Sequence, residues 1–176
     1  MIHITKIALR PLLVVLLAGL FVVGCKKDDD GTFEENFTRI EVHITGGGIN
    51  KAFKWEDSDG DGGNAPTIDS ILLLPNVAYA ARLHIYDGNK EITDEIEKES
   101  TEHVFTFFAP GADLTVSNLS TDTNGQPFGL ESRWNVGNAS MGNINIKLFH
   151  EPTDKSNPFA PGGEVDFDIT FPLRIQ

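Results

Sequence analysis

The sequence predicts an all-β domain, an antiparallel β-sandwich with about nine strands and one short helix. Three observations lead there. Apolar residues recur at every second position in most segments after residue 37, turn residues separate those segments at short intervals, and only one stretch carries a helical spacing.

Ile40, Val42 and Ile44 alternate with Arg39, Glu41 and His43, which describes a half-buried strand. Gly46-Gly47-Gly48 turns the chain, and Phe53 and Trp55 carry it back as the second arm of a hairpin. Strands over 67–74 and 77–86 meet at Pro75-Asn76, the second alternating through Val77, Tyr79, Ala81, Leu83 and Ile85. Ala109-Pro110-Gly111 separates strands over 103–108 and 113–119, and Asn124-Gly125 begins the turn into 130–136. Ile144, Ile146 and Leu148, then Val165, Phe167, Ile169 and Phe171, complete the set. Short strands at this spacing are of immunoglobulin-like kind. Residues 90–102 differ: Ile92 and Ile96 stand four apart among helix-forming acids, so the segment reads as a short helix or helical crossover. Its surplus of Glu and Asp is either a solvated face or a place for cations.

The chain has 176 residues and a formal net charge of −12, with 12 Phe among enough apolar residues to build one core. An acidic surface repels nucleic acid and attracts cations. Lys6 and Arg10 precede an apolar run over 11–23, the pattern of a secretory signal peptide and too short to span a bilayer comfortably. That run ends in Val22-Val23-Gly24-Cys25, which resembles the lipobox of bacterial lipoproteins and implies that Cys25 is lipidated and becomes the first mature residue. Cys25 is the single cysteine, so an internal disulfide and a thiolate metal site are both excluded. Loss of residues 1–24 removes two cations and no acid, leaving 152 residues at −14. Lys26, Lys27 and Asp28 to Asp30 begin an acidic tether over 25–36, ahead of a single domain over 37–176. Cys-Lys-Lys-Asp-Asp-Asp resembles the surface-export signal of Bacteroidota lipoproteins. It implies a lipid anchor on the outer face of the outer membrane, with the periplasmic face as the alternative.

Two constellations carry candidate chemistry. Asp57, Asp59 and Asp61 alternate ahead of Gly62 and Gly63. An EF-hand also needs a bidentate Glu at position 12, where Ile68 stands, and flanking helices, so the family is excluded. Three carboxylates in five residues still suit Ca²⁺, the alternative being an acidic turn. The second constellation is His103 and His150, one opening a strand and the other closing one. If those strands are antiparallel neighbours, both imidazoles reach one rim, where Glu99, Glu102 and Glu151 supply carboxylates for Zn²⁺ or another transition metal. His43 and His84 lie among charged neighbours within strands and read as surface residues.

The stretches FKWEDSDGDGGNAP, EITDEIEKESTEHVFTFF, DTNGQPFGLESRWNVG and IKLFHEP, in that order, resemble a group of small Bacteroidota lipoproteins. These are often labelled type 1 periplasmic binding fold superfamily proteins and are companions of TonB-dependent receptors. The resemblance implies nutrient or metal capture and carries over Asp57, Asp59, Asp61, Glu102, His103, His150 and Glu151 as site candidates. No activity comes with it. The chain also lacks the Gly-x-Ser-x-Gly elbow, the phosphate-binding glycine loop and the His-Glu-x-x-His zinc motif, so a non-enzymatic role is expected. Trp55 and Trp134 are candidates to stack on a sugar, with burial in the core as the alternative. Asp69-Ser70-Ile71 resembles the O-glycosylation sequon of the same bacterial group, which would place a glycan on Ser70. The sequence therefore points to an outer-membrane lipoprotein that binds a metal cation or small cargo and assists a TonB-dependent uptake receptor. A structural or adhesive surface module with a calcium-stabilised Asp loop, and a carbohydrate-binding module, are the alternatives.

Overall fold

The computed structural model describes residues 36–60 and 63–176. The expected signal peptide, Cys25 and nearly all of the expected tether lie outside the described residues, as does Asp61. The described chain is mostly β. Its elements in order are β1 (Arg39–Gly46), β2 (Ile49–Glu56), β3 (Thr67–Ile68), β4 (Ile71–Leu73), β5 (Ala78–Asp87), β6 (Lys90–Glu91), α1 (Thr93–Lys98), β7 (His103–Phe108), β8 (Leu114–Ser117), β9 (Glu131–Val136), β10 (Ser140–His150) and β11 (Glu164–Ile175). A larger sheet runs β3-β2-β1-β5-β9-β8 with β6 paired to β5, and a smaller one runs β4-β11-β10-β7.

Alternation builds both sheets. On β1 the β-branched Ile40, Val42 and Ile44 are fully buried, and Val42 sits opposite Phe53 of β2 on one side and Leu83 of β5 on the other. Gly47 and Gly48, at φ +55° and +83°, form the two-residue turn of the β1–β2 hairpin, whose type requires positive φ at both positions. Any side chain on Gly47 would also meet the Tyr79 hydroxyl, 2.8 Å from the position a Cβ would take. Ile40, Phe53, Leu83 and Trp134 from the larger sheet join Phe105, Ile144, Leu148 and Phe171 from the smaller in one buried cluster. Ile92 and Ile96, four apart as the sequence indicates, are fully buried with it.

Several expectations are corrected. The helix expected over 90–102 is confined to Thr93–Lys98, because Gly88 at φ +56° folds the chain back and Lys90–Glu91 pair with β5 as β6. With no side-chain cap on its first turn, so short a helix depends on Ile96 packing into the core. The strand expected over 67–74 is two strands in different sheets. Asp69 Oδ2 accepts from Lys54 N at 2.9 Å where β3 leaves the edge of β2, and β4 then joins β11 in a parallel pair. Trp134 is 0% exposed, and its indole Nε1 donates to Ser132 Oγ at 3.1 Å, so it belongs to the core and has no face for a sugar.

Truncating Trp134 to Ala removes the largest fully buried side chain. The variant should be less stable by about 3–5 kcal/mol, read as a lower urea midpoint at unchanged slope.

Candidate metal centre

The rim of the smaller sheet is set by register. β7 and β10 are antiparallel, and His103 falls directly opposite His150. His103 is two residues before Phe105 and His150 two after Leu148; both of those side chains are buried, so both imidazoles point to the core side at the end of the sheet. Their rings stack at 4.8 Å between centroids, 18° from parallel. Gly163 closes in behind, at φ +80°, where any Cβ would collide with the main-chain carbonyl of His150.

A carboxylate reaches this pair through an irregularity in β11. Leu148 pairs with Phe167, but the next residue, Phe149, pairs with Val165, so Asp166 is an extra residue in the ladder. A β-bulge of this kind re-aims a side chain. The alternation expected for Val165, Phe167, Ile169 and Phe171 therefore breaks at its first member: Val165 is 49% exposed, and Asp166 is turned towards the histidines. Asp166 Oδ2 lies 3.6 Å from His103 Nε2, and Asp166 Oδ1 lies 4.0 Å from His150 Nδ1. One ligand atom from each of His103, His150 and Asp166 fits within 4.8 Å of the others, and the group could hold a metal ion.

The hydrogen bonding favours a cation between these atoms. His103 Nδ1 lies 3.2 Å from the main-chain carbonyl of Glu99, which only accepts, so Nδ1 carries the hydrogen and Nε2 presents its lone pair. That lone pair faces a carboxylate oxygen that is buried and has no hydrogen-bond donor. Two acceptors facing each other need a proton or a metal ion between them. Burial is the main cause pushing the Asp166 carboxyl up to about 6, opposed by His150 and helped by Glu164. Burial is also the main cause pulling His103 below its ordinary 6.5, opposed by the Glu99 carbonyl and assisted by the charges of His150 and Lys155. Lys155 is fixed nearby by a buried pair with Asp122, 2.6 Å from its Oδ2, and by the Ser100 carbonyl at 2.6 Å.

The structure places the other candidates as follows. Glu99 contributes its main-chain carbonyl, as above, while its side chain is exposed. Glu102 Oε2 comes within 4.0 Å of His150 Nε2, across the ring from the Nδ1 that faces Asp166. Glu151 is exposed, at φ +48°, and its N–H donates to the Glu102 carbonyl. Asp57 and Asp59 act as turn caps: Asp57 Oδ1 accepts from Gly60 N at 3.1 Å, and Asp59 Oδ2 accepts from Asn64 N at 3.0 Å and Nδ2 at 2.6 Å. Those bonds from Asn64 hold the Asp59 carboxyl below its usual range. Ser70 is exposed between β3 and β4. Trp55 is half-buried against the core and, with Phe37, Asp57, Asp166 and Asp168, lines a cleft of about 480 Å³, to which the His103, His150 and Asp166 group contributes Asp166. Asp166 is the site residue that period-two reading passes over, since alternation assigns it to the outward face.

Fold and site together define a mostly β protein of two sheets with a His-His-Asp cluster able to hold a metal ion. Comparison with protein-family models, curated proteins and solved structures finds no match.

The raised Asp166 carboxyl has a definite consequence for the metal-free chain. Above pH 6 the native state carries this ionised carboxylate at a cost; as pH falls from about 6 towards 3.8 it takes up the proton before the unfolded chain does, and that cost disappears. His103 acts in the opposite direction, favouring the native state above 6.5 and disfavouring it as pH falls. Asp166→Asn isolates the first effect. It should stabilise the metal-free protein by about 2–3 kcal/mol at pH 7.5, because each pH unit separating the native from the unfolded titration is worth roughly 1.4 kcal/mol, and by almost nothing below pH 4. Denaturant titrations across that range measure it.

Proposed function

We propose that this chain is a non-enzymatic metal-binding lipoprotein whose His103, His150 and Asp166 hold a transition-metal ion, with Zn²⁺ as the reference case. The observation that carries the reading is the His103 Nε2 lone pair aimed at an Asp166 oxygen 3.6 Å away. Ligand atoms about 2.0–2.1 Å from a tetrahedral ion stand roughly 3.3 Å apart, so one ligand atom from each residue, all within 4.8 Å of one another, would have to draw together by up to about 1.5 Å on binding. Two imidazoles and one carboxylate are a zinc-type donor set, whereas Ca²⁺ prefers oxygen alone. Three protein ligands leave a fourth position for water or cargo. Asp166 also lines the cleft that holds Trp55 and Asp57, which gives a small cargo a place beside the ion.

The wider reading rests on the sequence. The lipobox-like Cys25 and the acidic run after it support a lipid anchor on the outer membrane, and the resemblance to TonB-receptor companions supports a role in presenting metal or cargo to such a receptor. Two sheets sharing one buried cluster support the immunoglobulin-like sandwich. A structural or adhesive module is the second reading, favoured by Leu72, in the edge strand β4, and by Leu74 just beyond it, each 49% exposed. For the Asp loop, the hydrogen bonds taken by Asp57 and Asp59 favour an acidic turn over a calcium site.

Zn²⁺ added to chelator-stripped full chain should raise the unfolding midpoint, the stabilisation reaching roughly 2.7 kcal/mol at a hundredfold excess over Kd. His103→Ala and Asp166→Ala should each abolish most of the shift, and Ca²⁺ should produce none. Because the ion displaces a proton from Asp166, the zinc affinity should fall as pH drops below about 6, by up to tenfold per pH unit for each proton displaced. An unchanged midpoint with zinc, or an equal shift in Asp166→Ala, overturns the assignment.

A further inference from the structure

A different pair of imidazoles stands on the outward face of the larger sheet, where the alternation of charged residues suggests only solvated surface. Glu41 and His43 are two apart on β1 and share that face, and the register sets His84 of β5 directly opposite Glu41. The His43 and His84 rings approach to 4.0 Å between centroids, tilted by 30°. Each ring is tied to its own carboxylate: His43 Nε2 lies 2.9 Å from Glu41 Oε2, and His84 Nδ1 lies 2.6 Å from Glu91 Oε1.

An ionised carboxylate only accepts, so the bonded nitrogens are the donors. Neutral rings then present lone pairs at His43 Nδ1 and His84 Nε2. Both carboxylates are themselves held, Glu41 by Arg39 Nε at 3.1 Å and Glu91 by the Thr93 hydroxyl at 2.9 Å. Imidazoles that donate one N–H to an anchored carboxylate have the orientation and basicity of metal ligands. Arg82, directly opposite His43, is engaged by Glu131 at 2.6 Å and Glu97 at 3.2 Å, so its charge is offset. His43 and His84 are 38% and 23% exposed and border a cleft of about 520 Å³, with room for water to complete a coordination shell.

We propose that His43 and His84 form a second cation site, which takes one borderline divalent transition ion, Zn²⁺, Ni²⁺ or Cu²⁺, through His43 Nδ1 and His84 Nε2. It shares no residue with the His103 cluster and stands whether or not that cluster binds metal.

The test is calorimetric titration of the stripped full chain with Zn²⁺ at pH 7.5, in the wild type and in His150→Ala, His43→Ala and Glu91→Ala. His150→Ala should still take up one ion. His43→Ala should bind one ion fewer than wild type, and Glu91→Ala should weaken the retained site by roughly 10–100-fold. Side-chain ¹⁵N spectra of the wild type give a second measurement that needs no variant: zinc should shift the His43 Nδ1 and His84 Nε2 resonances. A His150→Ala chain that binds no zinc, a His43→Ala chain with the wild-type stoichiometry, or unshifted His43 and His84 resonances overturns the proposal. Failure of the His103 cluster alone would look different: wild type and His150→Ala would bind the same number of ions, and His43→Ala one fewer.

Discussion

One extra residue in β11 governs what the rim of the smaller sheet can do. If the ladder between β10 and β11 ran without a break past Leu148 and Phe167, strict alternation would send Asp166 to the outward face and Val165 into the end of the core. The bulge exchanges them, and an acid takes the place of an apolar side chain where the two histidines already meet. The displaced Val165 goes to solvent, which costs burial of one apolar side chain, and the acid is left with an oxygen that meets no donor. A defect with these two costs persists because the rest of β11, Phe167 to Ile175, is held along its length by β10, and its last three residues, Leu173 to Ile175, are held by β4 as well.

The same accounting separates the three acidic places in the molecule. Of the loop acids, Asp57 and Asp59 already have donors, from Gly60 and Asn64. At Glu41 and Glu91 the carboxylates are satisfied by histidines and in turn orient them. At Asp166 one carboxylate oxygen is buried without a donor and faces the His103 lone pair, while the other lies 4.0 Å from His150 Nδ1. Each of these places but the strand residue Glu41 lies in a run of three acids within five residues, at 57–61, 91–95 and 164–168, and among the described residues only Asp166 has a buried carboxylate oxygen without a donor, so counting acids is a poor guide to where a cation belongs.

Much of the architecture is legible in the sequence because alternation reports directly on burial. Ile40, Val42 and Ile44, and likewise Ile144, Ile146 and Leu148, lie on the buried face that their spacing assigns to them. The meeting of His103 with His150 is also legible, since one opens a strand and the other closes one. What escapes is decided by non-local partners. Nothing within residues 67–74 says that the chain changes sheets at Asp69, because the acceptor for Lys54 N and the strand beside Ile71 lie far off in sequence. Asp166 escapes for a related reason: a bulge is a relation between two strands, and neither strand alone contains it. Lys90 and Glu91 carry helix-forming side chains, yet β5 is within reach after the Gly88 turn and claims them for a ladder.

The parallel pairing of β4 with β11 bears on the order in which the polypeptide can acquire structure. In the smaller sheet the strand nearest the C-terminus lies between β4 and β10. During synthesis β1, β2 and β5 can pair as soon as residue 87 has left the ribosome, but β4 has no neighbour in its own sheet until residues 173–175 emerge. A chain that stops short of these residues therefore leaves the apolar side of the larger sheet with its cover incomplete. Completion of the second layer waits on β11, more than ninety residues after β4.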